Sequence, residues 1–194
     1  MRGTPYYYFG DELGMTNAGF EKIEDYKDMP TLNEYQHQKN IGGDLKKFIR
    51  EIKFSSRDNG RTPMQWDSSI NSGFSTGIPW LQVNKNYTTI NVSAEEKDPN
   101  SCLNYFRKIV KLRKENPVLV YGKYTLLDKE NTAVYSFTRE ENGKKFLVLL
   151  NFTSKEVTLK TDINISRAKM LINNYSTPAI NNQLRPYEAI IYEL

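Results

Sequence analysis

The hydrophobic period of this chain changes once, at Pro117, and that change limits it to a two-part architecture. Past Pro117, apolar and polar residues alternate over 121–127, 132–138, 144–151, 156–160, 168–173 and 187–192, and each run reads as a short strand. Asp128-Lys129-Glu130-Asn131 and Glu141-Asn142-Gly143 separate the first three. Asn-Gly supplies the positive φ angles of a two-residue hairpin turn, so Asn142-Gly143 is the strongest hairpin signal in the chain. Six short antiparallel strands with regular turns predict a small β-sandwich. Ahead of Pro117, Leu103, Phe106, Ile109, Val110 and Leu112 form the apolar face of a helix opening near Ser101 and ending at Asn116-Pro117. The fold class is therefore α+β, with helices and loops over 1–117 and an all-β domain over 118–194.

The N-terminal part begins with an isolated signal. Tyr6-Tyr7-Tyr8-Phe9, bounded by Pro5 and Gly10, reads as a strand apolar on both faces, the pattern of a buried parallel sheet. Parallel strands need neighbours reached through crossovers, and no second run of this type follows within the next hundred or so residues. The remainder of its sheet is expected to lie outside this sequence. Asp11 and Glu12 fall just past the end of the predicted strand, where α/β barrels carry catalytic groups. Neighbouring side chains point in different directions, which favours a supporting or rim role for the pair. Thr31 is placed to cap a helix running to about Lys39, broken by Gly42-Gly43. Asp44 caps a second, whose Leu45, Phe48, Ile49 and Ile52 make one stripe that would cover a core.

Between this helix pair and the helix at Ser101 lies Arg57-Asp58-Asn59-Gly60-Arg61-Thr62-Pro63-Met64-Gln65-Trp66-Asp67. Asn59-Gly60 favours a tight turn, and the residue before Pro63 is held extended, so the stretch suits a rigid loop. A guanidinium fork can pair with a carboxylate or hold two sugar hydroxyls at a fixed geometry, and Trp66 offers a flat apolar face. An ion-paired surface loop is the alternative on these residues alone. Residues 68–100, rich in Gly, Ser, Asn, Thr and Pro, read as a long irregular excursion.

Composition narrows the partners. A net charge of +4 is spread along the chain, with no basic run interleaved with aromatics, so nucleic acid is not expected as a partner. No apolar run approaches the ~18 residues of a membrane span, and no signal peptide is evident. The single cysteine, Cys102, has no internal disulfide partner and is expected as a small buried hydrophobe; with the absent leader, it points to the cytoplasm. His37 has no companion to share a metal and is expected on a solvated helix face; no metal and no cofactor are expected.

Taken together, the motifs resemble glycoside hydrolase family 13. They are Gly3-Thr4-Pro5-Tyr6 with Tyr8, Gly10, Glu12, Gly14 and Met15-Thr16-Asn17; Arg57-Asp58-Asn59 with Arg61 through Asp67; and Gly73-Phe74 with Pro79-Trp80. They continue through Ile90-Asn91-Val92, Leu112-Arg113, Val120-Tyr121-Gly122 and Leu184-Arg185-Pro186-Tyr187-Glu188-Ala189, covering essentially the whole chain in order. The branch they resemble contains oligo-1,6-glucosidase, α-glucosidase and trehalose-6-phosphate hydrolase. Gly60 stands where relatives often have alanine.

The resemblance implies the last strand and helices of a (β/α)8 barrel followed by an antiparallel C-terminal β-sandwich. Residues 6–9 would be the eighth barrel strand and the helix from Ser101 the last barrel helix. It implies that the catalytic Asp, Glu and Asp come from earlier strands, so no catalytic residue is assigned here and the chain alone would be inactive. By the resemblance, Arg57 holds the terminal non-reducing glucose of an α-linked oligosaccharide. Asp58, Asn59, Arg61 and Glu12 support the pocket loop. The parent reaction would be retaining exo-hydrolysis of the terminal α-glucosidic bond. Two other functions fit the same sequence: a non-catalytic glycosidase-like protein used for protein contacts, or a carbohydrate-binding module built on residues 118–194. Unpaired, the aromatic run is expected to drive self-association or a rearrangement of the first hundred residues.

Overall fold

The computed structural model describes residues 3–159, 161, 163–177 and 183–194. The chain divides into two units, Tyr6–Phe106 and Arg107–Leu194 together with residues 3–5.

The first unit is built on two helices, α1 (Met29–Asn40) and α2 (Leu45–Ser55). Asp28, not Thr31, caps α1: its carboxylate accepts from the Thr31 amide at 3.2 Å and the Thr31 hydroxyl at 2.9 Å. The helix starts earlier than expected because Pro30 fits the first turn, where a missing N–H leaves no bond unmade. Asp44 caps α2 as predicted, accepting from the Lys47 amide at 2.9 Å. The apolar stripe of α2 packs Phe48, Ile49 and Ile52 onto a core of Phe20, Tyr26 and Leu81. Burial of each large side chain there contributes roughly 1.5–3 kcal/mol. Burial, with the charges of Asp25 and Asp58, pushes the Tyr26 phenol up to about 12.

The predicted strand over residues 6–9 does not form. The segment is irregular and turns at Phe9-Gly10, and Tyr6 is 92% exposed. A parallel-type strand needs a partner edge, and none of the described strands pairs with it. The bonds of Tyr8 are instead local: its N–H donates to Asp11 Oδ2 at 3.2 Å and its carbonyl accepts from the Asp11 N–H at 3.1 Å. The Tyr7 ring lies edge-on to Phe106 at 4.6 Å, and the Tyr8 and Phe9 rings lie 5.0 Å apart within the run itself.

The excursion over 68–100 is held by amides rather than by regular structure. Its one α-helical turn is α3 (Val92–Glu95), capped by Asn91, whose Oδ1 accepts from the Ala94 amide at 2.8 Å. Asn84 is buried and donates to the Thr16 carbonyl at 2.8 Å. The long helix α4 (Cys102–Glu115) follows. Ser101 Oγ accepts from the Asn104 amide at 3.2 Å, in keeping with the predicted start. Cys102, expected buried, is exposed, because the inward position of that turn is taken by Leu103. His37 is exposed on α1, as expected.

The second unit is antiparallel. After the single turn of α5 (Val118–Tyr121) come β1 (Lys123–Leu127), β2 (Val134–Glu141), β3 (Lys144–Asn151), β4 (Val157–Thr158), β5 (Lys169–Asn173), β6 (Gln183–Leu184) and β7 (Ala189–Glu193). Five form one sheet in the order β1-β2-β3-β7-β5, and β4 pairs with β6. Asn142 and Gly143 take the positive φ angles, 51° and 77°, of the predicted β2–β3 hairpin. Several ends differ from expectation: β2 runs on through Glu141, which was expected in the turn, and β6 was not predicted. Tyr121 belongs to α5, and Tyr187 sits in a turn at φ 54° before β7. Lys160, included in a predicted strand, lies outside the described residues. Val134, Leu147, Leu149, Leu159, Leu184, Ile190 and Tyr192 form one core cluster, while Phe146 joins Val118 and Leu119 of α5 in another. Arg139 of β2 is 1% exposed and donates from Nη2 to the Val120 carbonyl at 2.7 Å, satisfying the end of α5.

Candidate carbohydrate site

The Arg57–Arg61 segment is one 3-10 turn following directly on α2, capped by Ser56. Its side chains alternate in what they face. Asp58 is fully buried: Oδ2 accepts from the backbone N–H groups of Lys27 at 2.7 Å and Asp28 at 2.9 Å, and Oδ1 from Arg61 Nη1 at 3.4 Å. Asp58 therefore ties this turn to the residues leading into α1.

Those residues carry a group that sequence reasoning missed. Asp28 is 3% exposed, and its Oδ1 accepts from Arg57 Nε at 3.0 Å and Arg61 Nη1 at 3.2 Å, with Arg57 Nη2 in ion-pair contact at 2.7 Å. With Oδ2 on Thr31, one carboxylate caps a helix and gathers both arginines. Burial would push its pKa up, but the bonds from Thr31 and Arg57 outweigh that and hold the carboxyl below its ordinary range. Asp28 is isolated in sequence from the arginine stretch; the only local signal was an acid two residues before a proline at a helix start.

The two arginines end in different places. The Arg57 side chain is 59% exposed, with Nε and Nη2 both turned to Asp28. Arg61, 35% exposed, lines a cavity of about 470 Å³ with Glu12, Trp66, Phe74, Trp80 and Phe9. Glu12 Oε2 accepts from the Gly10 N–H at 2.8 Å, which fixes its carboxylate beside the turn that follows the aromatic run. Asn59 faces away from the arginine pair: Nδ2 donates to the Lys53 carbonyl at 2.9 Å, and its buried Oδ1 has no hydrogen-bond partner among the described residues. It lines a smaller hollow of about 140 Å³ with Tyr8, Asp11 and Thr16. Gly60 is not held by steric need, since a methyl there would meet only Tyr8 Cε1 at 3.7 Å.

The aromatic wall has its own support. The N–H groups of Trp66 and Asp67 donate to the Ser72 carbonyl at 2.9 and 3.2 Å, and the Trp66 carbonyl accepts from Ser93 of α3 at 2.9 Å. Asn71, Ser72 and Gly73 all take positive φ, at 55°, 56° and 66°. Two of the three are non-glycine residues in a region that L-residues avoid, so the turn is strained, and Ser72 Oγ anchors it by donating to the Met64 carbonyl at 3.0 Å. Among the described residues no cluster of His, Cys, Asp and Glu could hold a metal ion, and no helix is long and apolar enough to cross a membrane.

Both arginines meet on buried Asp28, and Arg61 also borders an aromatic-lined cavity. The model of the α-amylase catalytic domain matches residues 1–122 and that of the maltogenic amylase C-terminal domain residues 124–191, and the chain belongs to the α-amylase family, glycoside hydrolase family 13. It is 43% identical over 200 residues to an oligo-1,6-glucosidase of Bacillus cereus, and 36% identical over 200 residues to a trehalose-6-phosphate hydrolase of Bacillus subtilis strain 168. Both alignments cover all of this chain and 36% of the relative. The crystal structure of a Bacillus licheniformis trehalose-6-phosphate hydrolase superposes with a TM-score of 0.91 at 39% identity, over 99% of this chain and 36% of that one. The chain thus spans about a third of the length of these relatives, and its fold is a partial α-amylase domain with its C-terminal domain.

Proposed function

We propose that this chain is part of a retaining, exo-acting α-glucosidase that hydrolyses the terminal α-glucosidic bond of short oligosaccharides in the cytoplasm. The nucleophile and the acid/base belong to a part of the catalytic domain outside these 194 residues, and the boundary between catalytic part and sandwich falls at residues 117 and 118. The observation that carries the proposal is the pairing of both arginines on buried Asp28, with Arg61 turned to an aromatic cavity that also holds Glu12. A guanidinium held in that way costs affinity for any ligand lacking a hydroxyl pair to match it, and it favours a sugar end. The geometry supports Arg61 as the sugar-facing group, with Arg57 bracing Asp28. This reverses the roles that the family resemblance assigned to the two. Asp58 and Asn59 keep their supporting roles, and Glu12 lies on the cavity wall.

The test is kinetic. This chain would be joined to the part of the Bacillus cereus relative that it does not match, and p-nitrophenyl α-glucoside hydrolysis measured. Arg61→Ala is expected to lower kcat/KM by about a hundredfold or more, and Arg57→Ala by no more than about tenfold. Equal loss, or the larger loss at Arg57, would return the sugar contact to Arg57.

A further inference from the structure

Trp80 lines two hollows, and only one contains Arg61. The other, of about 550 Å³, is walled by Trp80 and Tyr87 and by the polar side chains of Glu24, Asp25, Asn71 and Gln82. The volume lies within the ~300–1,000 Å³ usual for small-molecule sites. Trp80 is 65% exposed, so a flat indole is open to a ligand. The polar groups around it retain acceptor capacity. Asp25 Oδ2 accepts from the Glu21 and Lys22 amides at 3.2 and 3.0 Å, which leaves Oδ1 open. Asn71 Nδ2 donates to the Ser75 and Gly77 carbonyls at 3.1 and 2.8 Å, which leaves its own Oδ1 open. Among the described residues, the Glu24 carboxylate and the Gln82 amide make no hydrogen bond.

These positions are built rather than accidental features of a loose surface. Asp25 is locked by two backbone amides, and Asn71 is set by the strained positive-φ turn whose next residue, Ser72, is fully buried. An exposed indole ringed by open acceptors suits a pyranose, whose apolar face stacks while its hydroxyls donate to carboxylate and amide oxygens. Two carboxylates oppose an anionic ligand, and among the described residues lining the hollow the one ammonium, on Lys27, already donates to the Glu24 carbonyl at 3.1 Å.

We propose that this hollow is a second carbohydrate site, taking a short, uncharged α-linked glucose oligomer with one ring stacked on Trp80. The ligand class rests on the α-glucosidase function proposed above; the site itself rests on its own residues.

The full 194-residue chain suffices for the test. It contains two tryptophans, so in a Trp66→Phe variant the indole emission comes from Trp80 alone. Titration with isomaltotriose is expected to give a saturable emission change, weakened about tenfold or more by Glu24→Ala and unaffected by Arg61→Ala. Should Trp66→Phe fail to fold, the indole N–H resonances of the unsubstituted chain give the same readout, with the shifting signal assigned by Trp80→Phe. No saturable change would overturn the site. So would a change abolished by Arg61→Ala and indifferent to Glu24→Ala, which would assign the ligand to the first cavity. An inactive joined enzyme beside a normal Trp80 titration would count against the proposed function alone; an active one with no titration would count against this site alone.

Discussion

Asp28 concentrates more of the structure on one side chain than any residue in the arginine stretch. It caps α1, receives a hydrogen bond from each of two guanidinium groups and a further ion-pair contact from Arg57, and is almost wholly buried. Asp28→Asn retains a capping oxygen but removes the charge, so at neutral pH it is expected to destabilise the chain by about 1–3 kcal/mol. The pH dependence has a definite sign. The folded-state pKa of Asp28 lies below its ordinary value of 3.8, so its contribution is fully present above that value and is lost as pH falls through the folded one. Thermal melts between about pH 5 and pH 2 should therefore fall more steeply for the natural chain than for Asp28→Asn. Parallel slopes would mean that Asp28 is not the acid-sensitive group. Glu188 follows the same sign in the β domain. Burial pushes its carboxyl up, and the bonds from Arg185 and Asn173 more than reverse that. A Glu188→Gln background would isolate the Asp28 slope.

At the level of elements, the 71–73 turn makes the clearest prediction. Gly73 has φ 66°, and a Cβ there would stand 2.7–2.8 Å from the Asp67 carboxylate atoms. Gly73→Ala is expected to cost about 1–2 kcal/mol from the backbone alone, and more from the clash, whereas Gly60→Ala should stay within about 0.5 kcal/mol. Urea melts of the two variants decide it; equal effects would remove the case for a strained support under Trp66. The same comparison of elements marks what the sequence could reveal. The stripe on α2 and the Asn142-Gly143 hairpin were legible because their signals are local: a 3.6-residue period, and a residue pair that tolerates positive φ. The 6–9 strand was misread because its period reports burial in a sheet, and pairing depends on an edge that the residues themselves do not supply. Tyr121 was drawn into a strand because the single turn of α5 is stabilised from a distance, by Arg139 on β2. Asp28 escaped for a similar reason: its partners are 29 and 33 residues away. The aromatic run should behave accordingly in hydrogen exchange, with the amides of Tyr6, Tyr7 and Phe9 exchanging far faster than those in the β2–β3 ladder. Slow exchange there would show pairing that the fold does not contain.

For the molecule as a whole, four aromatic residues in a row, each 45% exposed or more, are surface that a soluble chain normally covers. The chain on its own is expected to associate in sedimentation equilibrium, and a Tyr6→Ser, Tyr8→Ser double variant to associate less; a monomer in both cases would contradict this. Under the proposed function, the two arginines on Asp28 and the aromatic cavity are the sugar-holding part of a hydrolase, and the carboxylates of its retaining mechanism lie outside these 194 residues. The most direct measurement compares p-nitrophenyl α-glucoside hydrolysis by the purified 194 residues and by the same residues joined to the unmatched part of the Bacillus cereus relative. The expected result is no turnover by the chain alone and clear turnover by the joined protein. Hydrolysis that copurifies with the 194 residues, or a folded joined protein that does not turn over, would contradict the account.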